Sequence, residues 1–176
     1  DYLYELVDSK KNNTISESLI RSLNQLVIQD IDKMWAGKYR IGEVSIAGSR
    51  HKPPLSIDVP RLMHELVGWV GANKRKIHPV ELAAELHYKL VAIHPFFDGN
   101  GRTARLLMNI ILMNSGYPIS IILKNDRKRY YNFLTRADKG DVAPFVRFIS
   151  QAVEKSLDTY LRALTPEGKA GEKYMP

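Results

Sequence analysis

The 176-residue chain contains no cysteine. This absence excludes disulfide bonds, thiolate zinc sites, iron–sulfur clusters and cysteine nucleophiles. The sequence also lacks any apolar run close to the roughly 20 residues that a bilayer span requires, and it has no recognisable signal peptide. A chain without cysteine fits the cytoplasm, although trimming of a targeting segment leaves a secretory lumen open. Because the first residue is Asp1 and not methionine, we expect an excised part of a longer protein.

The composition that remains indicates one globular domain. Hydrophobic residues make up 44% of the chain and charged residues 26%, which is typical of a folded protein with its own core. Lysine and arginine number 26 against 19 acidic residues, so the formal net charge is +7. That excess predicts an anionic partner, but charge alone does not distinguish a nucleotide, a nucleic acid and an acidic protein.

Hydrophobic periodicity predicts an all-α fold. Apolar residues recur with helical spacing in six segments, which are 16–30, from Pro60 onward, 78–93, 102–115, 125–139 and from Asp141 onward. The segment 102–115 is apolar almost all round, which indicates a central buried helix. Glycines and β-branched residues predict a small β-hairpin flap at about 40–57. Residues 165–176 lack periodicity, so we expect a flexible C-terminal tail after a domain spanning 1–164.

The chemistry concentrates in one loop, residues 94–105 (HPFFDGNGRTAR), which precedes the buried helix. Gly99 and Gly101 flank Asn100, so backbone N–H groups can converge on one anion, and the helix N-terminus adds unpaired donors. Arg102 and Arg105 lie in the first helical turns, where the helix dipole disfavours cations. A bound phosphate reverses that sign, and two arginines on one face suit a polyphosphate.

Two further side chains of this loop complete a reactive set. Asp98 is its one carboxylate, and Mg²⁺ prefers one or two carboxylates together with phosphate oxygens. His94 lies at the other end and can accept a proton near neutral pH. Each feature alone is ordinary, since a His before Pro usually ends a helix and Asp-Gly-Asn-Gly is usually a turn. Together within twelve residues they indicate transfer chemistry at a phosphate.

The same segment resembles the Fic family, because it matches the signature HPFx[D/E]GNGRxxR at every fixed position. Residues 78–162 also resemble animal-type Fic enzymes in stretches such as LHYKL, RLLMN and GYP. The resemblance implies a Fic-type helical bundle that transfers AMP from Mg-ATP to a Ser, Thr or Tyr hydroxyl of a target protein. It also implies ATP and a target protein as partners, with self-modification or a homodimer as further possibilities.

The resemblance also implies roles for individual residues. His94 is similar to the general base, Asp98 to the Mg²⁺ ligand, and Asn100 with the Gly99 and Gly101 backbone to the α-phosphate anion hole. The same resemblance assigns Arg102 to the phosphates and Arg105 to the γ-phosphate end. It assigns Phe96 to a buried anchor. It also assigns Tyr130-Tyr131 to a wall of the nucleoside pocket, with Tyr131 in contact with the nucleotide.

Residues 45–52 resemble the part of the flap that aligns the target side chain by strand-like pairing. Asp138 stands where many relatives have Asn, which leaves the choice of nucleotide open. The inhibitory motif [ST]xxxE[GN] of many relatives is not found, and Glu167-Gly168 comes nearest to it. We therefore expect that the inhibitory helix lies upstream of residue 1 or on another chain, and that the fragment modifies itself without an activating mutation.

Other interpretations stay open at this point. The same site can serve another nucleotide, phosphate or phosphocholine transfer, or removal of AMP, although GNGR in the loop argues against the phosphate-transfer branch. The basic runs 74–76 and 127–129 admit a nucleic-acid-binding module, but such runs are usually solvated helix ends. An inert scaffold is the third class, and the intact loop argues against it.

Overall fold

The computed structural model describes residues 14–165 and folds them into six α-helices. The helices are α1 (Glu17–Ile28), α2 (Val59–Asn73), α3 (Pro79–Ile93), α4 (Asn100–Asn114), α5 (Arg127–Ala137) and α6 (Ala143–Leu164). Short 3₁₀ turns at Ser56–Asp58 and Lys124–Asp126 precede α2 and α5. The predicted all-α fold is confirmed. Residues 1–13 and 166–176, which include most of the predicted tail and Glu167-Gly168, lie outside the described residues.

Local signals explain where several helices begin. The Ser16 hydroxyl caps α1 by accepting from the Leu19 N–H at 3.2 Å, and Pro60 occupies the first turn of α2. His78 caps α3 through Nδ1, which accepts from the Val80 N–H at 3.3 Å. The last two helices begin without a side-chain cap, because Asp126 and Asp141 accept hydrogen bonds from arginines within the same region instead of from the helix N-termini.

Helix α4 is the central element, as its all-round apolar pattern predicts. It packs most extensively against α3 and also contacts α1. Leu107, Met108 and Leu112 are completely buried, and the hydrophobic stabilisation from each such side chain is roughly 1.5–3 kcal/mol. The first residue of this helix, Asn100, belongs to the loop of residues 94–105, called the signature loop below. A well-buried helix therefore holds one end of the loop that contains the predicted site residues.

The predicted β-hairpin flap is absent from the described residues, since no strand occurs between 14 and 165. Residues 40–57, called the flap loop below, follow an irregular path with a turn closed by the Ser49 N–H and the Ile46 carbonyl at 3.0 Å. The physical reason lies in the hydrogen bonds. The Arg40 guanidinium occupies the Gly42 and Pro54 carbonyls, and prolines 53 and 54 have no N–H to donate to a ladder.

Helix lengths and polarity also bear on membrane association. Across residues 14–165, none of the helices combines the length and the hydropathy that crossing a bilayer demands.

Candidate active site

The signature loop, residues 94–105, leaves α3 and enters α4 through two residues in the left-handed region. His94 ends α3 with φ 52° and is the one non-glycine residue with positive φ among residues 14–165. Gly99 precedes α4 with φ 80°. A Cβ on Gly99 would lie 2.7 Å from the Ile28 methyl carbon Cγ2 and 2.9 Å from Asn24 Nδ2. Glycine is therefore required here both by the backbone and by the close approach of α1.

Arg40 connects the flap loop to the signature loop by hydrogen bonds. Its side chain is completely buried, and Nε donates to the His94 carbonyl at 2.8 Å. The same guanidinium donates to the Gly42 and Pro54 carbonyls at 3.1 and 2.6 Å. This positioning residue was missed by sequence reasoning, because an arginine is expected at the surface unless its donors find partners. Nothing in the sequence around Arg40 indicates that its donors have buried partners.

Asn24 supports the same loop from α1. It is buried, and its amide donates to the Asp98 carbonyl at 3.0 Å while its carbonyl oxygen accepts from the Gly37 N–H at 3.1 Å. Sequence reasoning missed this residue too. The available signal was an amide inside the apolar periodicity of segment 16–30, since a buried Asn requires hydrogen-bond partners.

Asn100 braces the loop from within. Its side-chain oxygen accepts from the Phe96 N–H at 2.9 Å, and its amide donates to the Phe96 carbonyl at 2.8 Å. Phe96 itself is completely buried, so the anchor expected from the resemblance is present in the core. Because both ends of the Asn100 amide are engaged, the group that Asn100 offers to an anion is its backbone N–H at the start of α4.

His94 has the geometry of a base. Its Nδ1 lies 3.3 Å from the Val91 carbonyl, and a carbonyl only accepts, so Nδ1 carries the proton and Nε2 carries the free lone pair. Burial lowers the pKa of His94, and the positive charges of Arg40 and His51 act in the same direction. The neutral imidazole is therefore the favoured form at pH 7.

Asp98 and Arg102 form an ion pair at the mouth of the site. Oδ2 of Asp98 lies 3.0 Å from Nη2 of Arg102, and the side chains are 59% and 41% exposed. Exposure of this extent makes the pair weak, so either partner can exchange it for a ligand. Among residues 14–165 no group of three or more acidic or histidine side chains gathers around one point. The donor set therefore fits Mg²⁺ bound by one carboxylate together with nucleotide phosphates, and not a cation held by protein alone.

Arg105 supplies a positive charge that no acidic side chain of residues 14–165 pairs with. Behind it, buried His87 lies with Nε2 2.9 Å from the Tyr130 hydroxyl. Burial lowers the pKa of His87 to about 3, and the Arg105 charge contributes to that shift. His87 is therefore neutral, and Arg105 has no acidic side chain within ion-pair distance among residues 14–165.

All predicted site residues line one cavity of about 500 Å³, a size within the roughly 300–1,000 Å³ of small-molecule sites. They are His94, Asp98, Gly99, Asn100, Gly101, Arg102, Arg105 and Tyr131. Tyr131 is 45% exposed and Tyr130 is buried, and their rings meet edge to face at 5.2 Å. The structure adds residues that the sequence did not single out with this cavity, among them His51 and Tyr88, and it places Asp138 in the same wall.

These features describe a helical domain with a cavity of small-molecule size, a helix N-terminus at that cavity and a neutral histidine with a free Nε2 lone pair. Residues 14–112 match the model of the Fic/DOC family. The chain belongs to the Fic/DOC family.

Curated relatives and solved structures agree with this assignment. The chain is 45% identical over 163 residues to "Protein adenylyltransferase Fic" of Drosophila persimilis, covering 92% of the chain and 31% of the relative. Against the protein of that name in Drosophila yakuba, identity is 42% over 184 residues, with 98% and 36% covered. The chain thus spans about a third of the length of these curated relatives.

Among solved structures, a Fic-1 fragment from C. elegans superposes with a TM-score of 0.83 at 37% identity, covering 92% of this chain and 48% of that one. A Fic domain containing signaling protein from Bacteroides thetaiotaomicron gives a TM-score of 0.82 at 34% identity, with 92% and 67% covered.

Proposed function

We propose that residues 1–164 form the catalytic domain of a protein adenylyltransferase, which transfers AMP from ATP to a hydroxyl of a target protein. One observation carries the proposal. The free Nε2 of His94 and the N-terminus of α4 belong to residues that line the same cavity. The names of the relatives support the same reaction class.

The reaction follows from these groups. The target hydroxyl gives its proton to Nε2 of His94 while its oxygen forms a bond to the α-phosphorus of ATP. The bond from that phosphorus to the bridging β-phosphate oxygen breaks, so pyrophosphate leaves and AMP stays on the target. A positioned base of this kind contributes typically about 10²- to 10⁴-fold to a rate.

The remaining groups act on charge. Backbone N–H groups of Asn100 and Gly101, together with the positive end of α4, stabilise negative charge on the α-phosphate. The Gly99 N–H donates to Oδ1 of Asp98 in the structure, and it joins this set when Asp98 turns to the metal ion. Arg102 and Arg105 bind the phosphates of ATP that follow the α-phosphate. Mg²⁺ bound by Asp98 and phosphate oxygens would neutralise charge on the leaving pyrophosphate.

The flap loop is the proposed docking element for the target. Its residues Ile46, Gly48 and Ser49 border the cavity, and the loop forms no ladder with other described residues. The backbone groups that Arg40 and the turn from Ile46 to Ser49 leave unbonded are therefore available to an extended target segment. The acceptor hydroxyl then reaches His94 from the flap side. Self-modification fits the same geometry if a segment of another copy takes the place of the target.

The basic runs give less support to nucleic-acid binding. Arg129 pairs with Asp126 at 3.1 Å and stacks on Phe148, and Arg127 lies 5.6 Å from the Tyr131 ring centroid at the rim of the cavity. One run therefore serves local packing and the edge of the nucleotide site. Weak binding to a random duplex at physiological salt would agree with this interpretation.

Mass spectrometry of a protein mixture incubated with Mg-ATP tests the proposal. Wild type should add AMP to a Ser, Thr or Tyr side chain, and H94A should lose that product while still binding nucleotide. H64A is the matched control, because His64 is exposed and outside the cavity. Absence of any AMP adduct on the mixture and on the enzyme itself contradicts the proposal.

Asp138 in the cavity wall makes nucleotide choice a separate question. Competition among labelled ATP, GTP, UTP and CDP-choline on one target identifies the transferred group. Removal of AMP from a modified target by wild type, and not by H94A, would assign the reverse branch to this site.

A further inference from the structure

His51 of the flap loop lies between two oxygen acceptors. Its Nε2 is 2.8 Å from the Ala92 carbonyl, and its Nδ1 is 3.3 Å from Oδ1 of Asp138. A carbonyl and a carboxylate only accept, so each ring nitrogen must carry a proton for both contacts to be favourable. The His51 ring therefore connects the end of α3 to the Asp138 side chain.

This contact joins three elements around the cavity. Ala92 belongs to the last turn of α3, two residues before His94, and Asp138 is the C-cap of α5. The helix dipole favours a cation at the end of α3 and disfavours a carboxylate at the end of α5. Both effects of the dipole make a partner for Asp138 at this place favourable, and the two side chains are only 21% and 19% exposed, so screening by water is limited.

The charged and titratable groups that face this contact are few. Burial raises the pKa of Tyr88 to about 12, and the charge of Asp138 contributes to that shift. Tyr88 therefore remains a neutral phenol beside the pair. His94, which follows the last residue of α3, also lies within electrostatic reach, and the His51 charge lowers its pKa. Asp98 and Asp138 both line the cavity, and Asp138 is the acidic residue that forms an ion-pair contact with His51 among residues 14–165.

A carboxylate in that wall is unfavourable for a nucleotide, whose phosphates carry several negative charges. We propose that His51 is a positioning residue which neutralises Asp138 and holds the flap loop against the nucleotide cavity. This inference rests on the proposed function. A nucleotide site with aspartate at position 138 requires a partner for that carboxylate, and His51 supplies it. His51 acts through Asp138 and not by contact with the reacting atoms.

Isothermal titration with a non-hydrolysable ATP analogue and Mg²⁺ at pH 7 tests the pair by a double-mutant cycle. H51A should weaken binding by about tenfold, because it leaves an uncompensated carboxylate in the cavity wall. D138N keeps the shape and should change binding by less than about threefold. The double variant H51A/D138N should bind like D138N alone, since the charge that His51 compensates is gone.

Strict additivity of the two single effects, or an unchanged affinity of H51A, overturns the proposal. The effect of adding D138N to H51A is the readout that a merely structural role does not give, because removal of the Asp138 charge should abolish the cost of losing His51. H64A serves as the control in each titration.

A second measurement does not depend on nucleotide binding. Hydrogen exchange of the backbone N–H groups of residues 43–50 reports opening of the flap loop, and it should be several-fold faster in H51A than in wild type or D138N. If wild type binds no nucleotide, the proposed function fails, whereas the exchange rates still decide whether His51 holds the loop. Equal rates in H51A and wild type overturn that part.

Discussion

The two loops that border the cavity are held in different ways. Within the signature loop, backbone groups are bound from inside the protein by Asn24, Asn100 and Arg40. The flap loop is bound at its base by Arg40 and further along the chain by His51. At its turn, a Cβ added to Gly48 would have no heavy atom within 4 Å. The difference matches the roles proposed for the two loops, because reacting groups must be preorganised and a docking segment must accept a partner.

The largest effect is expected where the two loops share a support. Arg40→Met removes donors from three buried carbonyls and should lower the free energy of unfolding by about 3 kcal/mol. It should also reduce AMP transfer, because His94 loses the bond to its carbonyl. Urea denaturation and a transfer assay measure the two effects.

Arg61→Met is the matched control for Arg40. Arg61 forms its ion pairs on the exposed face of α2, so no measurable change in the urea midpoint is expected. Equal midpoints for Arg40→Met and wild type would show that the two loops do not depend on a common support.

Acid should weaken the interior behind the signature loop. The pKa of His87 falls from its ordinary 6.5 to about 3 in the folded protein, so below pH 6.5 the unfolded chain takes up a proton that the folded chain does not. His87 therefore stabilises the fold fully above pH 6.5 and progressively less as the pH falls towards 3. Its contribution decreases by about 1.4 kcal/mol per pH unit in that window.

Thermal or urea unfolding between pH 7 and 4.5 measures this slope. His87→Gln keeps an acceptor for the Tyr130 hydroxyl and should show a shallower loss than wild type. His64→Ala should follow the wild-type slope, since His64 is 86% exposed. Identical slopes for wild type and His87→Gln would contradict a neutral, buried His87.

A smaller effect is expected from the α1 side of the signature loop. Asn24→Ala removes the donor to the Asp98 carbonyl and the acceptor for the Gly37 N–H, and should cost about 2 kcal/mol. Affinity for an ATP analogue should fall as well, because the start of α4 is less well fixed. Gln25→Ala, on the exposed face of α1, is the control, and equal stability of the two variants would contradict the role of Asn24.

Prediction from the sequence succeeded for the signature loop and failed for the structure of the flap loop. Helix α4 and the line of residues from His94 to Arg105 were predictable, because periodicity and a contiguous motif encode them locally. Phe96 and Tyr131 followed from the resemblance, and the structure places both at or beneath the cavity.

The supports of the site were not predictable in this way. Arg40 and Asn24 act over separations of more than fifty residues, and their types alone indicate a surface charge and an ordinary polar residue. The β-hairpin was wrongly expected in the flap loop, because alternation of Val44 and Ile46 among glycines says nothing of a guanidinium that occupies the carbonyls a ladder requires.

The smallest effect on stability is expected at the turn of the flap loop, and it separates docking from chemistry. Gly48 has φ +76° with open space around it, so Gly48→Ala introduces backbone strain of about 1 kcal/mol without a clash. Binding of an ATP analogue should stay within about twofold of wild type, whereas the KM for a protein target should rise because the turn changes path. Steady-state transfer with ATP and target varied in turn measures both values. A change in nucleotide affinity with an unaltered target KM would assign the flap loop to the nucleotide and remove the contrast between the two loops.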